Sequence, residues 1–326
     1  MREIQFREAL REAMQEEMRR DDTVFLMGEE VAEYNGAYKV SQGMLDEFGP
    51  DRVIDTPIAE LGFGGIAVGA SANGLRPIVE FMTFNFSLVA IDQVINSAAK
   101  LMSMSGGQYS CPIVFRGPTG NAGQLSSQHS SNFENWFANT PGLKVVVPSN
   151  PADAKGLMKS AIRDNDPVIF MESEVMYGDK GLVPEGEYLI PIGKASVVKE
   201  GKDVTIVTFG KMLSRVVMPA VEELEKQGFS VEVIDLRTVR PIDYATVVES
   251  VKKTNRCVVV EEANPLAAIS SGIPCIASAI PPAIAAIVSL SPPNDTAFLT
   301  ASSKLDECSA QHMACGTELI AFSVRL

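Results

Sequence analysis

The first feature with chemical consequence is a carboxylate set into an apolar run. In Thr56-Pro57-Ile58-Ala59-Glu60-Leu61-Gly62-Phe63-Gly64-Gly65, Glu60 is the single charge between Asp55 and Arg76. Thr56 is placed to cap a helix, and Pro57 suits the first helical position, where a missing N–H costs nothing. A capping-box acid would fall at Ala59, so Glu60 comes one residue late for that role. Two readings stand. A buried carboxylate without a partner is expensive, so a sheltered Glu60 would need a proton or a hydrogen-bonding partner. Alternatively it is a first-turn acid, helped by the helix dipole and reaching solvent. Glycines 62, 64 and 65 allow a backbone or a flat ligand to approach closely.

His129 is the second candidate. The chain has two histidines, and this one lies in GPTGNAGQLSSQHSSNFENWF, a Gly/Ser/Asn/Gln-rich stretch between two expected strands. Loops of that kind at strand ends carry the sites of α/β proteins, and His titrates near neutral pH. A structural, hydrogen-bonded loop histidine is the competing reading. His312 is given no role. Phe81-Met82-Thr83-Phe84-Asn85-Phe86 follows a strand-like run and offers either core packing or a face for a flat ring or another subunit. Glu29 and Glu30 read as solvated charges.

Phosphate-gripping motifs are missing. There is no GxGxxG and no GxxxxGK[ST]. The Gly-Asp-Gly with a downstream Asn that holds Mg²⁺ and a diphosphate in thiamine enzymes is also lacking. Tyr177-Gly178-Asp179-Lys180-Gly181 comes nearest and fails at its third position. A carboxylate suited to cofactor work therefore stands without a phosphate grip, which suggests half a site.

These residues need a scaffold, and the hydrophobic pattern supplies one. Residues 5–19 have the 3.6-residue period of an amphipathic helix. Strand-like runs at 23–31, 53–57, 76–82, 111–118, 143–149 and 167–173 alternate with helical stretches over 58–73, 87–102 and from Pro151. This alternation predicts βαβ units and a mainly parallel sheet, and apolar runs such as VVV and PIVF suit strands buried on both faces. After a Pro/Gly/charge-rich connection a second α/β pattern begins with DVTIVTFG. The expected division is residues 1–185, a linker at 186–202, and a second domain at 203–326 that is atypical after about 271.

With 326 residues the chain fits about two domains at roughly 150 residues each. Its 28 basic and 41 acidic residues give a net charge of −13, which repels phosphate backbones and argues against nucleic-acid binding. Five scattered cysteines without CxxC spacing indicate neither a disulfide framework nor a zinc site. The charged N-terminus predicts no signal or transit peptide, hence a soluble cytoplasmic protein. From Ala263 to Asn294 no residue is charged, but the Pro281-Pro282 pair breaks that run, which argues against a membrane span. A buried irregular end of domain two, or a tail without designed structure, remain as alternatives.

The blocks VFLMGEEVAEYNGAYKVSQGM, DTPIAELGFGGIAVGA, GLRPIVEFMTFNFSLVAIDQVINSAAK, PIVFRGPTGNAGQLSSQHS, PGLKVVVPSNPADAKGL and VEVIDLRTVRPID closely resemble the β subunits of the E1 component of pyruvate dehydrogenase. These are thiamine-diphosphate 2-oxo acid dehydrogenases of the transketolase-like superfamily. The resemblance runs from residue 1 to about 271. It implies a pyrimidine-binding domain followed by a transketolase C-terminal-like domain, and an α2β2 heterotetramer whose α subunit holds the diphosphate and Mg²⁺. Glu60 would then hydrogen-bond N1′ of the aminopyrimidine. Met82 and Phe86 would line the pyrimidine pocket, and His129 would lie near pyruvate and the lipoyl channel. The family's K⁺ site would fall on Ile113, Ala161, Ile162, Asp164 and Asp166. The implied reaction is oxidative decarboxylation of pyruvate, with the acetyl group passing to the lipoyl group of the E2 dihydrolipoamide acetyltransferase. A branched-chain 2-oxo acid or acetoin dehydrogenase β subunit is the alternative within the class. A non-catalytic, assembly-defective chain is the alternative outside it, because the sequence departs from the family after about Ser271 and carries Asn264 where a Trp is usual.

Overall fold

The computed structural model describes residues 1–121, 125–263, 268, 269 and 273, together with the backbone of strands Ile284–Leu290 and Phe298–Ser302. The chain forms two compact units. The first comprises Met1–Ser196, Phe209–Val216 and Asp235–Asp243; the second comprises Val197–Thr208, Val217–Ile234 and the chain from Tyr244 on.

In chain order the elements up to residue 196 are β1 (Arg2–Gln5), α1 (Phe6–Arg20), β2 (Val24–Gly28), α2 (Met44–Phe48), β3 (Val53–Asp55), α3 (Glu60–Ala72) and β4 (Arg76–Glu80). They continue with α4 (Leu101–Met104), β5 (Val114–Thr119), α5 (Glu134–Ala138), β6 (Lys144–Val146), α6 (Pro151–Arg163), β7 (Val168–Ser173) and β8 (Lys180–Val183). Then follow β9 (Ser196–Lys199), β10 (Val204–Thr208), α7 (Met218–Lys226), β11 (Val231–Asp235), β12 (Thr238–Arg240), α8 (Tyr244–Thr254), β13 (Arg256–Glu262), β14 (Ile284–Leu290) and β15 (Phe298–Ser302). The first unit is built on a seven-stranded sheet of order β12-β6-β7-β5-β4-β2-β3. All its neighbours are parallel except β12, which lies antiparallel on β6. Strands such as Val24–Gly28 and Val168–Ser173 are buried along their whole length, as parallel strands covered on both faces must be.

One face of the sheet is covered by the pair α1 and α6. Phe6, Leu10, Met14 and Met18 share one core with Leu157, Met158 and Ile162. Pro151 starts α6, and the Asn150 side chain accepts from the Asp153 N–H at 2.9 Å, a conventional cap. The buried Lys155 and Lys159 of α6 both pair with Glu16, at 2.6 and 2.8 Å, and in addition with Glu12 and Glu187 respectively, since a buried cation needs a partner.

The helix expected over 87–102 is broken. A tight turn at Phe84–Leu88, a widened turn at Gln93–Ser97 and a tight turn at Ala98–Lys100 precede α4. Close packing against α3 accompanies the break. A Cβ on Gly64 would sit 3.4 Å from the Ala90 Cβ, and one on Gly65 would sit 3.3 Å from the Gln93 side chain. These glycines thus admit a neighbouring segment of the same chain. Three short strands escaped the sequence pattern: β1 and β8, which pair antiparallel, and β12. Residues 196–199, within the stretch expected as a linker, form β9.

The second unit carries a six-stranded sheet of order β15-β14-β13-β10-β11-β9. β10, β13 and β14 are parallel, and β15 returns antiparallel on β14. The backbone over 284–290 and 298–302 is therefore strand, where the sequence suggested an irregular end. Among the described residues no helix is long and apolar enough to cross a membrane. Asn264, His312 and most of the chain after Ser271 lie outside the described residues.

Candidate active site

The carboxyl ends of the parallel strands gather the charged groups. Glu29 follows β2, Glu80 ends β4, Arg116 lies in β5 and Glu172 in β7, while Glu60 opens α3 beyond β3. Gly28 pairs with Glu80, and a Cβ added to it would meet the Glu80 carbonyl oxygen at 2.5 Å. The two backbones approach closely here because Gly28 has no side chain. Charge in this region is deeply covered: Glu29 is 3% exposed and Glu60 5%.

This burial settles the first question raised by the sequence, since Glu60 does not reach solvent. It also corrects the reading of Glu29 as a solvated charge; of that pair only Glu30 is exposed. The Glu29 carboxyl lies within hydrogen-bonding reach of Glu60, and its pKa is pushed up to about 7. Burial is the largest cause, followed by the charge of Glu60 and the hydrogen bond shared with it, then by the charge of Glu80. Two carboxyl groups can bond to each other only when one carries a proton. The other Glu29 oxygen, Oε1, is buried with no partner. The sequence did contain a signal for Glu29, an acid directly after a wholly apolar strand, where open α/β sheets keep their sites.

The expected cap is not formed. Helix α3 has Ala59 at its N-cap position with no side-chain cap, and Thr56 Oγ1 is buried without a partner while its N–H donates to the Gly28 carbonyl at 2.9 Å. Three further charges were not singled out from the sequence. Arg116, fully buried, donates to both oxygens of Glu172 at 2.7 and 2.5 Å and also to Glu80, while the Tyr177 hydroxyl donates to Glu172 at 2.7 Å. Their signal was a charge near the end of each of the apolar runs PIVEF, PIVFRGP and PVIFMES.

The aromatic run divides by role. Phe81 and Phe84 are core residues: Phe81 stacks on Phe115 at 6.0 Å and meets Phe84 edge-on at 5.6 Å. Phe86 is only partly buried and instead presents its ring edge-to-face with His129, centroids 5.1 Å apart. Met82 is likewise partly buried. The Asn85 side chain ties the His129 loop down by accepting from the Ser131 N–H at 3.1 Å, and His129 Nδ1 is buried with no partner. The structure thus forms two groupings, Glu29 with Glu60 and Phe86 with His129.

Of the positions implied for K⁺, several have oxygens that already accept hydrogen bonds. The Val168 N–H donates to the Ile113 carbonyl at 2.9 Å, and the Cys111 N–H donates to that of Asn165 at 3.2 Å. Positive charge is already present there. Arg76 donates to the Ile162 and Asp164 carbonyls at 3.0 and 2.9 Å, and Lys144 pairs with Asp164 and Asp166 at 2.7 and 3.0 Å.

Most of the chain is similar to known proteins. Residues 2–180 match the transketolase pyrimidine-binding domain and residues 193–283 the transketolase C-terminal domain. The chain is 59% identical over 268 residues to the pyruvate dehydrogenase E1 component subunit beta of Rhizobium meliloti, covering 82% of this chain and 58% of that one. It is 57% identical over 274 residues to the subunit of the same name from Rickettsia felis, covering 84% of each. It is 55% identical over 276 residues to the mitochondrial subunit beta-2 of rice, Oryza sativa subsp. japonica, covering 83% of this chain and 73% of that one. A solved split-gene transketolase, described as an inactive β4 tetramer, superposes with a TM-score of 0.72 at 23% identity, covering 88% of this chain and 89% of its own, and shows the same fold. The chain therefore belongs to the family of pyruvate dehydrogenase E1 component β subunits, transketolase-like in both of its domains.

Proposed function

We propose that this chain is the pyrimidine-binding half of a pyruvate dehydrogenase E1, completed by an α subunit that grips the diphosphate of thiamine diphosphate through Mg²⁺. The observation that carries the reading is the buried Glu29–Glu60 pair at the carboxyl end of the sheet, with unpartnered polar atoms on Glu29 and His129. Buried polar atoms without partners are rare and call for a ligand, water or ion. An aminopyrimidine ring suits these groups, because its ring nitrogen can take the bond that Glu60 offers. Thiamine diphosphate, when bound, supplies the carbon nucleophile and electron sink that let a 2-oxo acid lose CO₂.

The residues of this chain do the rest. Glu60 would hydrogen-bond N1′ of the pyrimidine, and Glu29, whose pKa burial pushes up to about 7, would be the proton donor beside it. Phe86 and Met82 offer apolar surface to the ring. His129, held edge-on by Phe86, has Nδ1 free to donate to or accept from the substrate. Ile58, 82% exposed, and Ile66, 66% exposed, flank the turn that carries Glu60 and give an apolar surface for an α chain to cover. Pyruvate as substrate and the E2 lipoyl group as acetyl acceptor follow from family membership. The positions implied for K⁺ do not fit a bound cation as they stand, because Arg76 already donates to the Ile162 and Asp164 carbonyls and Lys144 pairs with Asp164 and Asp166; no catalytic step depends on that site.

The test is co-expression with a cognate α subunit and assay of pyruvate-dependent reduction of an artificial electron acceptor. Glu60→Gln should assemble normally yet lower turnover at least about 100-fold, the usual worth of a positioned proton-transfer group. Wild-type turnover in that variant would refute the assignment.

A further inference from the structure

Adjacent residues of one turn, Asn85 and Phe86, reach the His129 loop at separate points. The turn Phe84–Leu88 is itself firmly held. The Phe84 ring lies in the core, edge-on to Phe81 and Phe137 at 5.6 and 5.4 Å. The Phe86 N–H donates to the Thr83 carbonyl at 3.0 Å, and the Ser87 hydroxyl donates to the Phe84 carbonyl at 2.6 Å. From this base Phe86 meets the His129 ring, while Asn85 meets Ser131 further along the same loop. Asn85 is 6% exposed, and both ends of its amide are used: Nδ2 donates to Thr83 Oγ1 at 2.8 Å, and Oδ1 accepts from the Ser131 N–H at 3.1 Å. A reversed amide would set its NH2 group against that N–H, donor to donor, so the Ser131 bond fixes which way round the side chain lies. The Ser131 carbonyl is taken as well, by the Gly120 N–H at 3.2 Å just beyond β5. Ser131 is thus fastened through both of its backbone groups.

We propose that Asn85 is a positioning residue for His129: its amide pins Ser131 to the turn that carries Phe86, and so keeps the imidazole against the Phe86 ring with Nδ1 enclosed. The need for such a mount lies in the imidazole itself. Nδ1 of His129 is buried without a partner, and a polar atom in that state gains by moving to water. An edge-to-face ring pair is a weak contact that tolerates a range of angles, and it gives little resistance to that pull. A loop held at one point can pivot about it. Held at Phe86 and at Ser131, the loop cannot swing His129 outward without breaking the Asn85 bond, and breaking it leaves a buried amide oxygen unpaired. That the enclosed imidazole serves pyruvate rests on the function proposed above; the mounting of His129 by Asn85 does not.

The experiment is NMR of the full chain with ring-labelled histidine and phenylalanine. The chain has only His129 and His312, so its imidazole signals are few, and His129→Gln identifies that of His129. Spectra are taken at about pH 8.5, where an ordinary imidazole, with a pKa of about 6.5, is neutral. The Phe86 ring displaces the His129 proton resonances, and Phe86→Leu sets the undisplaced value. Asn85→Ala should lose most of that displacement, together with the cross-relaxation between the two rings. Asn85→Asp should keep both, because a carboxyl oxygen still accepts from the Ser131 N–H and the Thr83 hydroxyl can turn round to donate. Thr83→Val, which has a similar shape but leaves the amide free to turn over, should lose part of the displacement. Thermal melts establish which variants are folded. An unmoved His129 resonance in Asn85→Ala, or in Thr83→Val should the first variant not fold, would overturn the inference. So would equal loss in Asn85→Ala and Asn85→Asp, because it would mark a packing effect rather than the accepting oxygen. Turnover of the assembled Glu60→Gln enzyme reports separately on the function proposed above, so the two can fail independently.

Discussion

Replacing Glu29 by Gln should change the pH dependence of stability in a direction fixed by the sign of its shift. The folded-state pKa of Glu29 is raised from 4.5 to about 7. Between those values the folded chain holds a proton that the unfolded chain has released, so stability falls as pH rises through this window and is level above it. A displacement of about two and a half units, at about 1.36 kcal/mol per unit, sets a ceiling of about 3.4 kcal/mol. A glutamine in its place has no proton to lose, and its amide donates to Glu60 at every pH. The Glu29→Gln variant should therefore gain about 1–3 kcal/mol on the unsubstituted chain between about pH 5 and pH 8. For a unit of this size that is a relative rise in Tm of several degrees, at roughly 2–4 °C per kcal/mol. Scanning calorimetry of both proteins across that range at constant ionic strength measures the difference. A Tm difference that stays constant from about pH 5 to about pH 8 would show that Glu29 does not titrate as described.

Two further outcomes are open to direct measurement. Arg116→Met leaves Glu80 and Glu172 buried without their cation, and breaking a buried pair of this kind costs about 3–5 kcal/mol; the variant should melt far below the unsubstituted chain or accumulate as insoluble protein. Burial pushes the thiols of Cys111 and Cys257 up to about 11 and about 12, so neither should react with iodoacetamide at about pH 8 in the native chain, while both should be labelled in guanidinium, as mass spectrometry of the peptides would report.

Patterns set by local physics were legible in the sequence. The 3.6-residue period of α1, the start of α6 at Pro151 and the apolar strands β2, β5 and β7 stand close to where the hydrophobic pattern puts them. Elements that owe their existence to a partner strand were not. β12 is three residues long and acquires strand geometry only by pairing with β6, and β1 depends in the same way on β8. The site divides along the same line. Glu60 stood out because a charge inside an apolar helix has a local cost. Glu29, Glu80 and Arg116 carried only the weaker signal of a charge at or near the end of an apolar strand, and the pairing of Glu80 with Arg116 comes from the sheet register. The misplaced cap at Thr56 has a similar origin: its N–H is taken by Gly28 of β2, a contact that no sequence window contains.

The edge strand β12 has a bearing on how the chain is made. The first unit is finished by Asp235–Asp243, about forty residues beyond Ser196. The Val147 N–H donates to the Arg237 carbonyl at 2.8 Å, Arg237 pairs with Asp153 at 2.7 Å, and Arg240 reaches the Ala138 carbonyl at 2.7 Å. A nascent chain released as far as Ser196 would expose β6 as a raw sheet edge, the kind of surface that recruits other strands. The sheet edge of the amino-terminal unit is therefore completed only once residues 235–243 are free to pair, and a gene cut at the apparent linker should yield a fragment prone to aggregate.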